Sequence, residues 1–341
     1  MLRKHPVVGY YVKKLLGYVL TIWGTITITF FLFRLIPSNP VENWVRSLEQ
    51  NYSVTVAGGE KMAEYYKEQF GLNGTIWEQY VRYLYNVLIK QDLGPSFVNF
   101  PTPVQELLMQ RLPWTLGLLS VSILISWVLG LLTGTVAAWY RDSWASDLLT
   151  NGAIVLSQVP SYLIAIFLVL FLGYQWKLLP TRGAWDAQYE IGWTWDFIRS
   201  LLTHSILPAL SIVIVSLSGW ILSTRSLVIN TLGEDYLLYA DAKGLKPSKI
   251  MVSYALRNAM LPQATGLALT LGTMMNGQLL IEMTFVYPGL GELMSRAISV
   301  FDFNTMMGII LLSVVSVMTA SLLVDLLLPV LDPRARTAIT V

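Results

Sequence analysis

Six apolar runs, each long enough to cross a lipid bilayer, constrain this chain more than any other feature of its sequence. The first, residues 15–36, carries no charge until Arg34. It reaches about 33 Å at ~1.5 Å per residue, enough for a hydrocarbon core of about 30 Å. Further runs lie at residues 112–140, 148–174, 206–224, 261–285 and 306–330, so the expected fold is an all-α polytopic membrane protein with six transmembrane helices. Composition agrees: 54% of residues are hydrophobic and 13% charged, too little polar surface to cover a soluble particle of this size.

Arg3, Lys4, Lys13 and Lys14 precede the first run in the manner of a signal peptide. The run is too long for one and ends in Arg-Leu-Ile-Pro at 34–37 rather than a small-residue cleavage site, so it is expected to be retained. With the N-terminus inside, Lys and Arg exceed Asp and Glu on the cytoplasmic side, and the balance reverses outside. Both termini are then cytoplasmic, and three parts are expected. Residues 1–36 form the N-terminus and first span, 37–111 an extracytoplasmic segment, and 112–341 five further spans with a cytoplasmic loop at 225–260.

The segment 37–111 is too polar for lipid and too long for a simple connection. Trp77, Tyr80, Val81, Leu84 and Leu88 follow helical spacing ahead of Gly94, and residues 61–70 read as a second helix stopped by Gly71. Such helices either pack on the spans or lie in the bilayer interface.

Chemistry is conspicuous by its absence. The chain has no Cys and only two His, His5 and His204, which leaves no thiolate or histidine-rich metal site. A net charge of +2 gives nucleic acid no reason to bind. No Gly-x-x-x-x-Gly-Lys-Ser/Thr loop is present to cradle nucleotide phosphates, and no His-Glu-x-x-His or Gly-x-Ser-x-Gly either. No catalytic residue is assigned. If ATP drives this protein, another subunit binds it.

Arg34, Glu282 and Asp325 are the ionisable residues near or within spans. Intramembrane charge is costly, so each is a functional candidate, with interfacial placement or ion pairing as the plainer reading. In the fifth run, Gly266, Thr270, Thr273 and Gly277 share one helical face beside Asn276. Small residues there serve close helix packing or line a solute path. Gln158, next to Ser157, and Ser216, with Ser218, would add polar groups from the third and fourth spans.

Ordered along the chain are stretches that resemble one family throughout. They include Arg-Leu-Ile-Pro-Ser-Asn-Pro at 34–40, Glu-Gln-Phe-Gly-Leu at 68–72, Trp-Glu-Gln-Tyr at 77–80 and Asp-Leu-Gly-Pro-Ser-Phe at 92–97. Next come Pro-Val-Gln-Glu-Leu at 103–107, Arg-Leu-Pro at 111–113 and His-Ser-Ile-Leu-Pro-Ala-Leu at 204–210. Most specific is the loop between the fourth and fifth spans. There Glu234, Asp235 and Tyr236 precede Ala240, Asp241, Ala242, Lys243, Gly244 and Leu245, then Leu-Arg-Asn-Ala-Met-Leu-Pro at 256–262. Glu-Met-Thr-Phe-Val-Tyr-Pro-Gly-Leu-Gly-Glu at 282–292, Val-Asp-Leu at 324–326 and Leu-Asp-Pro-Arg at 331–334 complete the series. Together these resemble the permease subunits of dipeptide, oligopeptide and nickel ATP-binding-cassette importers, which have the type I importer permease fold. The loop resembles that family's ATPase-docking loop. It departs from the general importer pattern in having Leu238, Tyr239 and Ala240 in place of Glu-Ala-Ala, and Asp241 stands where Arg is more usual.

The resemblance implies a homologous second permease, two ATP-binding-cassette ATPase subunits and an extracytoplasmic solute-binding protein as partners. This chain would bind no cofactor, ATP and Mg²⁺ belonging to the ATPase subunits, and would supply half of a translocation path. Gln158, Ser216, Thr273, Asn276 and Glu282 are the candidates for lining it. Peptide is the expected solute, with oligosaccharide or a nickel chelate as alternatives; a channel or a membrane-embedded enzyme is the remoter reading.

Overall fold

In apolar surroundings a chain must satisfy its own backbone hydrogen bonds, and helices do so within each segment. The computed structural model describes residues 6–36, 68, 71–273 and 278–331, and among them no strand forms beyond one isolated bridge between Pro95 and Pro103. The helices are α1 (Pro6–Leu35), α2 (Ile76–Tyr85), α3 (Val104–Trp139), α4 (Trp144–Ser157), α5 (Ser161–Leu168) and α6 (Trp195–Leu232). They continue with α7 (Asp235–Ala242), α8 (Pro247–Ile250), α9 (Arg257–Thr273), α10 (Leu279–Phe285), α11 (Leu290–Ser299) and α12 (Phe303–Leu331). Wide π-type turns extend α2 over Asn86–Lys90, extend α5 over Val169–Gln175, and join α8 to α9.

Among the described residues four helices are long and apolar enough to cross a membrane: Gly9–Leu35, Val104–Trp139, Trp195–Leu232 and Phe303–Leu323. The third apolar run differs from the straight span expected. It folds as α4 and α5, bent by 101° at residues 158–160. Pro160 lacks the N–H that a continuing helix would use and disfavours helical backbone at Val159. In the fifth run, α9 is described as far as Thr273 and α10 from Leu279. Residues 274–277 and most of the expected helix at 61–70 lie outside the described residues, although Gly71 adopts the left-handed φ of +63° that suits its stop role.

The chain divides into two compact units. One comprises residues 1–113, 275–279 and 288–341; the other comprises residues 114–274 and 280–287. In the first, α1 packs along α12 through Tyr18 Oη to Thr319 Oγ1 (2.9 Å) and a Lys14–Asp325 ion pair at 2.7 Å. The plainer reading of Asp325 is therefore the one observed. Thr75 and Glu78 close a reciprocal cap on α2, as their spacing allows. Burial pushes the Tyr83 phenol on α2 up to about 12, against a smaller lowering by Arg34, so it stays neutral.

Asp302 holds this unit together in a way its sequence did not advertise. Fully buried, it caps α12 by accepting from Thr305 N (3.1 Å) and Thr305 Oγ1 (2.6 Å). It also accepts from Ser96 Oγ, from Phe97 N (2.8 Å) and from Val98 N (3.1 Å). A carboxylate satisfied by so many donors is tolerable in an apolar interior.

The second unit is built on α6. One core joins Leu118, Leu119 and Ile123 of α3 to Leu207 and Ile212 of α6 and to Ile281, Phe285 and Tyr287. The loop after α5 folds onto this core: Trp185 stacks on Trp114 (4.8 Å between centroids), and Gly183 N donates to Phe285 O (2.8 Å). His204 is buried with Nδ1 2.8 Å from Ser200 O, which gives it a structural place. Close backbone approach sets the α3–α6 crossing. A Cβ on Gly130 would lie 2.3 Å from Trp220 Cβ, and one on Gly134 would lie 2.7 Å from Ile221 O.

Candidate functional site

Between α6 and α9 the chain leaves the apolar region for residues 233–256, and local sequence dictates nearly every turn. Gly233 ends α6, and Glu234 stands at the N-cap position of α7 without a side-chain cap. Asp235 in the first turn suits the positive end of the helix dipole. At the other end Gly244 takes φ +72°. Leu245 N donates to Ala240 O (3.3 Å) and Gly244 N to Asp241 O (2.8 Å). This is a Schellman termination, which glycine favours because the left-handed residue needs no Cβ. Pro247 then opens α8 at its first position, where a missing N–H costs nothing.

The loop has no soft joint to the spans. Leu237, Ala240 and Ile250 are buried together, with Trp139 of α3, Leu232 of α6, Leu245 and Tyr254 packed around them. Just beyond, Ala138, Val228, Ala255 and Ala259 form a second buried cluster. Asn258 Nδ2 donates to Tyr236 Oη, tying α7 to the start of α9, and Gln263 Nε2 donates to Ser223 Oγ at 2.9 Å, tying α9 to α6.

What α7 does not bury is equally specific. Leu238 is 66% and Tyr239 70% exposed, flanked by exposed Asp235, Asp241, Ala242 and Lys243. A rigid short helix thus presents two large apolar side chains ringed by charge. The structure brings Glu234, Asp235, Tyr236, Ala240, Asp241, Ala242, Lys243, Gly244 and Leu245 into one element. Of these, Ala240 is structural, and Leu245 packs partly against the same cluster. Leu238 and Tyr239 entered the sequence reading only as departures from a pattern, yet they form the projecting face. The available signal was the run Tyr236, Leu237, Leu238 and Tyr239, more bulky side chains than one face of so short a helix can bury.

The path candidates are placed less uniformly. Gln158 is the exposed C-cap of α4 at the bend. Ser216 is part-buried in the middle of α6. Glu282 is 1% exposed on α10, and its carbonyl accepts from Tyr287 N at 2.9 Å. Thr273 is the last described residue of α9, and Asn276 lies outside the described residues. Gly266, from the same small-residue face, rests 3.4 Å from the Trp220 ring by its would-be Cβ, a packing contact. Among the described residues no cluster of three or more His, Cys, Asp or Glu could hold a metal ion.

Residues 128–337 match the family described as binding-protein-dependent transport system inner membrane component. The chain is 28% identical over 326 residues to the oligopeptide transport system permease protein AppB of Bacillus subtilis, covering 96% of this chain and 98% of that one. It is 30% identical over 344 residues to the dipeptide transport system permease protein DppB of Escherichia coli K12, with coverage of 96% and 98%. With the probable D,D-dipeptide transport system permease protein DdpB of the same strain it shares 31% over 333 residues, covering 93% and 94%.

Proposed function

This chain belongs to the family of binding-protein-dependent transport system inner membrane components, and from that membership we propose that it is the permease subunit of an ATP-driven peptide importer. The observation that carries the proposal is α7: an exposed apolar face on a rigid loop that has no nucleotide site of its own. Its partner is an ATPase subunit, one of two, which binds ATP and Mg²⁺. A second, homologous permease completes the path, and an extracytoplasmic binding protein delivers the solute. Closure of the ATPase pair moves α7, and the buried clusters beneath it pass that displacement to α3, α6 and α9 as a rigid body.

Peptide is the proposed solute because the relatives are named for oligopeptide, dipeptide and D,D-dipeptide transport. The test is uptake of a labelled dipeptide by the assembled importer with its binding protein in proteoliposomes. Unlabelled di- and tripeptides should compete, whereas oligosaccharide and nickel chelate should not. Competition by either of those alone would reassign the solute.

The excess of Lys and Arg supports cytoplasmic termini, which places Ser143 and Ser248 inside and Asn73 and Asp186 outside. The path is proposed to run past Thr273 and Asn276, with Gln158, Ser216 and Glu282 contributing. Because the chain has no Cys, single cysteines read both proposals. In intact cells an impermeant thiol reagent should label positions 73 and 186 only, and inside-out vesicles should reverse the pattern. Cysteines at 216 and 273 should react with a small water-borne reagent if the path is wet. Labelling of position 248 from outside would overturn the orientation, and unreactive 216 and 273 would remove them from the path.

A further inference from the structure

Helix α2 and its extension have three faces. Tyr80 is buried on α1, its hydroxyl 2.7 Å from Thr27 Oγ1 and its ring 5.5 and 5.2 Å from those of Phe30 and Phe31. Tyr83 stacks on Phe30 from the same side at 5.4 Å. Glu78 and Arg82 form a polar second face, where Arg82 donates to Asn73 O at 2.6 Å. The third face holds Trp77, Val81, Tyr85 and Leu88, spaced to share one side of a helix and each half exposed or more.

Depth decides what covers that third face. Lys14 is anchored by Asp325 at one end of the first span. Thr27 lies about 20 Å farther along at ~1.5 Å per residue, in a hydrocarbon core about 30 Å thick. With Lys14 at the near boundary, Thr27 and the Tyr80 bonded to it lie about 10 Å inside the far one. Helix tilt would only deepen them. The apolar face of α2 therefore sits at acyl-chain level. Helix α1, on which α2 packs, also carries exposed apolar side chains at Trp23, Ile28 and Leu32. Trp77 and Tyr85 are residues that favour the interface, and Lys90, with its ammonium 5.4 Å from the Tyr85 ring, can extend to the headgroups.

We propose that α2 is an interfacial helix whose Trp77, Val81, Tyr85 and Leu88 face rests on lipid acyl chains in the leaflet opposite Lys14. Its partner is the bilayer itself, and the segment that follows the first span is anchored in the membrane rather than held above it. This goes beyond the importer reading and stands or falls separately from it.

The test places a nitroxide on Val81→Cys, Leu88→Cys or Asn73→Cys in the complete importer, reconstituted in phosphatidylcholine and phosphatidylglycerol vesicles. Collision rates with oxygen, which concentrates in lipid, and with a water-soluble nickel chelate are compared. At Val81 and Leu88 oxygen should exceed the chelate several-fold, with the reverse at Asn73. Chelate access at Val81 and Leu88 would put the face in water. Protection from both reagents would show that a protein surface covers it. Either result overturns the proposal, and peptide uptake in the same vesicles judges the importer reading independently.

Discussion

Gly244→Val should leave the chain inserted and stable in the membrane while weakening its hold on the ATPase about tenfold. No atom lies within 4 Å of a Cβ built at Gly244, so the substitution meets no clash. The cost is the φ of +72°, which charges an L residue about 1–2 kcal/mol, with β-branching at the upper end. An undocked loop escapes that strain by opening the Schellman bonds and shifting the turn that follows α7. A docked loop, held in its partner's cleft, cannot do so, and the strain falls on the docking equilibrium. About 1.4 kcal/mol is a factor of ten. Gly244→Asn, which tolerates left-handed backbone, should dock nearly normally. Co-purification of the ATPase with each variant reads the difference. Lys249→Ala, which removes an exposed charge, should match the wild type.

Gly130→Ala is expected to cost the second unit about 3 kcal/mol, the upper range for overpacking. The added Cβ would stand 2.3 Å from Trp220 Cβ and 3.2 Å from its carbonyl carbon, well inside the ~3.5–4.0 Å of an ordinary carbon contact. Trp220 cannot yield easily, because its ring meets Gly266 on α9. Helices α3 and α6 must therefore part. Gly117→Ala, on the same helix with nothing within 4 Å of its Cβ, should be neutral or slightly stabilising through helix propensity. Thermal unfolding of the two purified assemblies compares one methyl group at a crowded and an open site. Equal stability would show that the close crossing does not persist in the folded protein.

Which features could be read from the sequence follows from the range of the interactions involved. Apolar runs were legible because lipid imposes hydrophobicity residue by residue. The amphipathic helix at 76–90 was legible from its own spacing, and the loop at 234–245 from its resemblance to a family motif. The right-angled bend at 158–160 was hidden, because a hydropathy reading passes over Pro160 without registering the break. Helices α3 and α6 begin well before their apolar runs, at Val104 and Trp195, because polar turns extend a helix beyond its lipid-facing length. Asp302 could not be recognised from a sequence in which its partners at 96–98 lie some 200 positions away. Trp220 against Gly130 and Gly266 is likewise a meeting of three separate helices. Leu238 and Tyr239 project because Leu237 and Ala240 beside them are buried, and that depends on contacts with Ile250 and Trp139 outside the helix.

Residues 234–245 are proposed to couple ATP hydrolysis in a partner to solute movement through this chain, and this coupling can be measured. It is tested most directly by measuring binding-protein-stimulated hydrolysis and peptide uptake together in proteoliposomes, for the wild type, Gly244→Asn and Gly244→Val. Wild type and Gly244→Asn should take up peptide in proportion to ATP consumed. Gly244→Val should lose uptake and stimulation in parallel with loss of the ATPase. Wild-type uptake, stimulation and ATPase retention in Gly244→Val would contradict it, leaving the loop as no more than a connection between two spans.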